Sequence, residues 1–184
     1  MMSEYDLPLV VASFLVAVLA AYAALFFGAR LVNAESGERR KWLLAGALLM
    51  GTGVWTMHFV GMRAMPMGVP MSFDVMMTLV SWLAAVLASG VALHIIGRKQ
   101  LGVPLFVSAT LSMASGIVVM HYLGMYAMRM SAPPTFNTVF LLISIAIAVV
   151  ASGAALALCR KLQGMDGSGT LAVQFVAALV MAAA

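Results

Sequence analysis

Thiols are nearly absent from this chain of 184 residues. Its single cysteine, Cys159, excludes an internal disulfide and a thiolate metal cluster within one chain. Carboxylates are scarce too: Asp and Glu number six, and no repeated carboxylate pair is available for acid–base chemistry. Charged residues of either sign make up only 9% of the chain, against about a quarter in a soluble domain. The N-terminus carries Glu4 and Asp6 with no basic side chain before the first apolar run, so no cleavable secretion signal is expected. There is no Ser-His-Asp set, phosphate-binding glycine loop or zincin pattern, so the chain reads as a non-enzyme.

What remains is apolar. Hydrophobic residues make up 64% of the chain and mean hydropathy is +1.09, which places it in the lipid bilayer. Five stretches meet the length of about 20 apolar residues that a span requires: Leu7–Ala29, Trp42–Met62, Val75–Ile96, Val103–Met125 and Thr138–Leu158. A sixth begins near Leu171 and reaches Ala184, too short to cross. The expectation is an all-α membrane helical bundle truncated inside its sixth helix. The pI near 9.6 reflects short basic loops rather than nucleic-acid binding. Arg30, Arg39, Arg40, Lys41, Arg98, Lys99, Arg160 and Lys161 lie at one end of the spans, and only Arg63 and Arg129 at the other. The positive-inside rule puts the first set in the cytoplasm and the N-terminus outside, which in a bacterium means the periplasmic side of the inner membrane.

A repeat overlies these spans. Residues 53–67 and 116–130 are identical at eight of 15 positions: Gly53, Met57, His58, Gly61, Met62, Ala64, Met65 and Met67 match residues 63 further on. The match continues through Pro70/Pro133, Phe73/Phe136, Ser81/Ser144 and Ser89-Gly90/Ser152-Gly153. The unit is a pair of helices, one outward and one returning, at approximately 42–96 and 103–158. An offset of 68 aligns Ala109, Leu111, Met113 and Ala114 with Ala177, Leu179, Met181 and Ala182, so a third unit is expected to begin there.

Burial alone asks for no histidine followed by Met at four and seven residues. On a helix those positions share a face, so His58, Met62 and Met65 form one stripe, and His121, Met125 and Met128 another. Met57 and Met120 lie about 100° around from their histidines. The small residues Gly53/Gly61 and Gly116/Gly124 form a packing row beside each stripe. Imidazole with thioether is a soft donor set that favours Cu(I), while imidazole alone also suits Cu(II), Fe, Ni and Zn. The bland reading is that methionine fills irregular gaps and a membrane histidine bonds a neighbouring helix. Its duplication with the same partners raises ligation above that reading. His94 is unmatched and reads as an interfacial side chain, and Cys159 as an incidental thiol. Arg63 and Arg129 read as snorkelling to headgroups, and Trp42, Trp55, Tyr122 and Tyr126 as interfacial aromatic belts. Asp74 and Asn137 read as equivalent helix N-caps.

Met57-His58-Phe59-Val60-Gly61-Met62 and Met120-His121-Tyr122-Leu123-Gly124-Met125 resemble the MHYT domain, an integral membrane sensor module of bacteria. The resemblance covers nearly the whole chain, residues 1–184, with Phe-Val and Tyr-Leu where the signature has Tyr-Thr. It implies seven spans in the complete domain and motifs near the outer face. It implies copper held by Met and His, through which a diatomic gas (oxygen, nitric oxide or carbon monoxide) or redox state is sensed. A cytoplasmic cyclic di-GMP synthesis or degradation domain in cis is the implied output. The metal-ligand candidates are then His58, Met62, His121 and Met125, with Met57, Met65, Met120 and Met128 behind them. Two alternatives stand beside this: a b-type haem held between His58 and His121, and a copper transporter.

Overall fold

The computed structural model describes residues 6–64, 72–129 and 137–162. They form α1 (Leu7–Asn33), α2 (Ser36–Arg63), α3 (Val75–Ile96), α4 (Val103–Ala127) and α5 (Thr138–Leu162), with β1 (Ser72–Phe73) and β2 (Met128–Arg129) between them. All five helices are long and apolar enough to cross a membrane, so this is a multi-pass membrane protein. The apolar stretch from Leu171, and Met65 of the first motif, lie outside the described residues.

Local signals start the helices where expected. The carboxylate of Asp6 accepts from the Leu9 N–H, that of Asp74 from Met77, and the Asn137 amide oxygen from Val139. These caps satisfy donors that a helix start leaves open. Helix α2 begins at Ser36, earlier than the apolar span from Trp42. Its first turns carry Glu38, Arg39, Arg40 and Lys41, which hydropathy counts as loop but which are good helix formers.

Consecutive helices pack side by side, with α3 against both α2 and α4. Small residues set the closest approaches. A Cβ on Gly53 would lie 2.6 Å from that of Ala20 on α1, and one on Gly116 would collide with Ala88 on α3. Many of the outward side chains are large and apolar, among them Leu79, Leu83 and Leu87 on α3 and Phe140, Ile147 and Val150 on α5. Such a surface belongs in hydrocarbon.

The two ends of the bundle are built differently. At the basic end a core of Leu31, Ala92, Leu93, Ile96 and Ala109 is fully closed. Arg39 donates from one guanidinium to the carbonyls of Leu31 and Gly97, both at 3.1 Å, so it caps α1 and α3 together. Arg160 donates to the carbonyls of Arg98 (2.9 Å) and Lys99 (2.8 Å) beyond α3. Cationic donors at helix C-termini satisfy open carbonyls and complement the helix dipole. Cys159 is buried there and donates weakly to the Ala24 carbonyl at 3.7 Å, joining α5 to α1. His94 stands exposed on the last turn of α3.

At the opposite, motif-bearing end, β1 pairs antiparallel with β2, Ser72 opposite Arg129 and Phe73 opposite Met128. The Arg129 guanidinium donates to Asp74 at 2.9 Å. Arg129 therefore clasps the start of α3 to the end of α4. That hydrogen bond, reinforced by the cap from Met77, holds the Asp74 carboxyl below its ordinary value.

Candidate functional site

Helices α2 and α4 both pack on α3 and converge at the motif end, bringing the two motif histidines face to face. His58 Nδ1 and His121 Nδ1 are 3.5 Å apart, and the ring centroids are separated by 4.8 Å. One imidazole donates to the other, or both lone pairs point at a shared cation. Gly124 makes the first ring's position possible. A Cβ there would come within 3.1 Å of His58 Nε2 and 3.3 Å of Phe59. The His58 Nε2 atom is itself buried without a hydrogen-bond partner. An orphaned polar atom in a membrane interior carries a cost that a functional site can justify.

The pair stands at one end of a cavity of about 510 Å³ between α1, α2, α4 and α5. Two alanine-rich stripes hold it open: Ala17, Ala20, Ala21 and Ala24 on α1, and Ala148, Ala151, Ser152 and Ala155 on α5. Each follows the i, i+3, i+4, i+7 spacing of one helix face. The remaining wall includes Met57 and Met120 beside the histidines, and Met50 and Met113 deeper in. No charged side chain is among the lining residues.

The methionines are distributed differently from the helical-wheel expectation. Met57 and Met120 share the histidine cavity. Met62 and Met128 are buried in a separate cluster with Phe59, against which Trp55, Phe73 and Met125 pack. A wheel gives only angular positions; which row of each motif helix meets the cavity is set by how α2 and α4 pack on α3. Met65 lies outside the described residues.

Beside the site, the repeats use equivalent serines as anchors. Ser81 donates to the Thr78 carbonyl and accepts from Trp55 Nε1 at 3.0 Å. Ser144 donates to the Leu141 carbonyl, which leaves the Tyr122 hydroxyl as donor to Ser144 Oγ at 2.8 Å. Trp55 and Tyr122 thus tie each motif helix to the helix that follows it. The Ser81/Ser144 match was visible in the sequence; that a tryptophan replaces the missing hydroxyl of Phe59 was not.

The donor set suits a soft ion. Two imidazole nitrogens on one first-row ion at about 2.0–2.1 Å stand roughly 3.3–4.1 Å apart between tetrahedral and linear geometry. The observed 3.5 Å falls within that span. Thioethers on the same wall favour Cu(I). Among the described residues no group of three His, Cys, Asp or Glu could hold a metal, so a harder ion lacks ligands here.

Comparison with known proteins agrees with the geometry of a duplicated motif. The family model MHYT, described as a bacterial signalling protein N-terminal repeat, matches residues 1–46, 51–109 and 115–173. The second and third stretches each hold one Met-His pair. The chain is 41% identical over its whole length to the bifunctional diguanylate cyclase/cyclic di-GMP phosphodiesterase MucR of Pseudomonas aeruginosa, covering 27% of that protein. It is 34% identical over 98% of its length to the cyclic di-GMP phosphodiesterase NbdA of the same organism, covering 23% of it. It is also 34% identical over 80% of its length to the signaling protein YkoW of Bacillus subtilis, covering 18% of it. The chain therefore spans about a quarter or less of the length of these curated relatives. No solved structure matches it.

Proposed function

This chain belongs to the MHYT family, and from that membership we propose that it is the membrane-embedded sensory part of a bacterial signalling protein that binds copper. His58 and His121 hold the ion, Met57 and Met120 supply sulfur from the same cavity wall, and a diatomic gas or redox state is the signal. The observation that carries this reading is the 3.5 Å approach of the two Nδ1 atoms inside a shared cavity walled by those methionines. Copper bound there supplies one-electron chemistry and an open position for a small ligand. The chain's own residues do the rest. Gly124 seats the His58 ring, and the largely apolar wall presents no charged side chain to the ion. The Tyr122–Ser144 and Trp55–Ser81 bonds couple each motif helix to its returning partner. A displacement of α2 against α4 is carried through those ties to the basic end.

By the positive-inside rule that end faces the cytoplasm of the inner membrane and the N-terminus faces the periplasm. The output proposed there is a domain in cis that makes or degrades cyclic di-GMP, as the names of MucR and NbdA indicate for those proteins. A signal requires different ligand affinity in two conformations of the bundle.

Haem b suits the site less well. Axial imidazole nitrogens stand about 4 Å apart with the macrocycle between them, whereas here the two rings touch and Gly124 backs one of them. A transporter needs a route onward, and inward the cavity ends against the closed core around Leu31, Leu93 and Ile96. The test is metal analysis of protein purified from copper-replete cells. The reading expects copper, lost in His58→Ala and His121→Ala. A Soret band without copper, or metal content indifferent to both substitutions, overturns it.

A further inference from the structure

Two methionines outside the motif repeat at the same 63-residue offset. Met50 and Met113 each precede a motif methionine by seven residues, two helical turns on the same face. Both are buried, at 8% and 6% exposure, and both line the same cavity as the histidines. A third group stands with them. Ser152 on α5 is 3% exposed, lines the same cavity, and its hydroxyl has no hydrogen-bond partner.

The depths agree. From His58 to Met50 is about 12 Å along α2, and from Tyr122 to Met113 about 13.5 Å along α4. On the antiparallel α5, Ser144 meets Tyr122, and Ser152 lies about 12 Å further in. Two thioethers and an orphaned hydroxyl thus share one level near the middle of the bilayer.

We propose that Met50, Met113 and Ser152 form a second binding site for a soft monovalent cation, Cu(I), at the inner end of the cavity. The inference rests on the copper reading of the histidine pair, because that pair is where the ion would first be captured. The chemistry is selective. Thioethers bind Cu(I) and its d¹⁰ analogue Ag(I) but not hard or borderline divalent ions, and no charged residue lines the cavity to attract those. The hydroxyl by itself does not make the site. Ser89, the repeat partner of Ser152, is equally without a partner but is closed off in helix packing, outside the cavity wall. Of the two serines, only Ser152 is among the residues that line the cavity with Met50 and Met113.

The experiment is Ag(I) and Cu(I) titration of the intact protein in lipid nanodiscs, with X-ray absorption at the metal edge. Wild type is expected to take about two equivalents per chain, one site with nitrogen donors and one without. Met50→Leu/Met113→Leu conserves core volume, so the fold is retained, and it is expected to lose the sulfur-only equivalent. His58→Ala/His121→Ala is expected to lose the other. One equivalent, abolished by the histidine changes and untouched by the Met→Leu pair, overturns the inner site while leaving the copper reading intact. No binding at all overturns both. Met50 and Met113 acting only as core filler is the first of these results.

Discussion

Helices α2 and α4 carry the same motif in different surroundings, and the contrast separates what the motif must do from what packing asks of it. His58 and His121 are equivalent, and they meet each other. Gly61 and Gly124 are equivalent too, yet Gly124 lies against the His58 ring, while Gly61 has only Ser13 Oγ nearby at 3.5 Å. Tyr122 ties α4 to Ser144, whereas its counterpart Phe59 has no hydroxyl and Trp55 reaches Ser81 instead. The imidazoles are therefore kept for one another. The glycine is required in one copy by the ring it supports. The serine hydroxyl is kept in both copies, while the residue that donates to it differs, an indole N–H in one and a phenol in the other.

The largest break in this comparison comes from the histidines. His58→Ala or His121→Ala is expected to lower Cu(I) affinity by on the order of 100-fold or more, since loss of even an outer-sphere partner costs 10–100-fold. Competition against a Cu(I) chelator measures it, and equal affinity in wild type and variants would remove the site.

The glycines sharpen the comparison next. Gly124→Ala puts a methyl 3.1 Å from His58 Nε2 and forces the ring to move, so a loss of about 10-fold in the same assay is expected. Gly61→Ala meets only an ordinary contact and is expected to leave affinity unchanged. Equal effects of the two would show that the glycines serve general packing.

The hydroxyl anchors give a smaller effect. Tyr122→Phe removes the donor to Ser144 and is expected to destabilise the bundle by about 0.6 kcal/mol, the average for such bonds between membrane helices. Trp55→Phe does the same for Ser81 at some added packing cost. Unfolding of the reconstituted protein by denaturing detergent reads both, and a Tyr122→Phe variant as stable as wild type would deny the tie.

The smallest effect is at the clasp. Asp74 has a carboxyl held below its ordinary value by Arg129, so its contribution is present at and above that ordinary value and fades as pH falls through the lowered one. Amide exchange at residues 72–73 and 128–129 is expected to quicken only in strong acid, and Asp74→Asn is expected to quicken it at neutral pH. The group is solvent-exposed, so global stability should scarcely move.

The helices were legible because a bilayer demands long apolar runs, and Val75–Ile96 emerged with the bounds that hydropathy set. The start of α2 was not, since its first turns are helical but charged. The histidine pairing was legible from duplication. Which methionines share its cavity was not: an ideal wheel puts Met62 and Met125 on the histidine stripe, and Met57 and Met120 are the motif methionines that line the cavity. The alanine stripes of α1 and α5 that open that cavity carried no local signal, because alanine is as common in helix packing as in helix walls. The Asp74–Arg129 clasp joins residues 55 apart, a pairing no spacing rule brings together.

The most direct measurement is X-ray absorption at the copper edge on the intact, Cu(I)-loaded protein, beside His58→Ala/His121→Ala. Two imidazole shells with sulfur scattering in the wild type, and no imidazole shell in the double variant, are the predicted result. Copper whose surroundings are the same in both proteins would contradict the account.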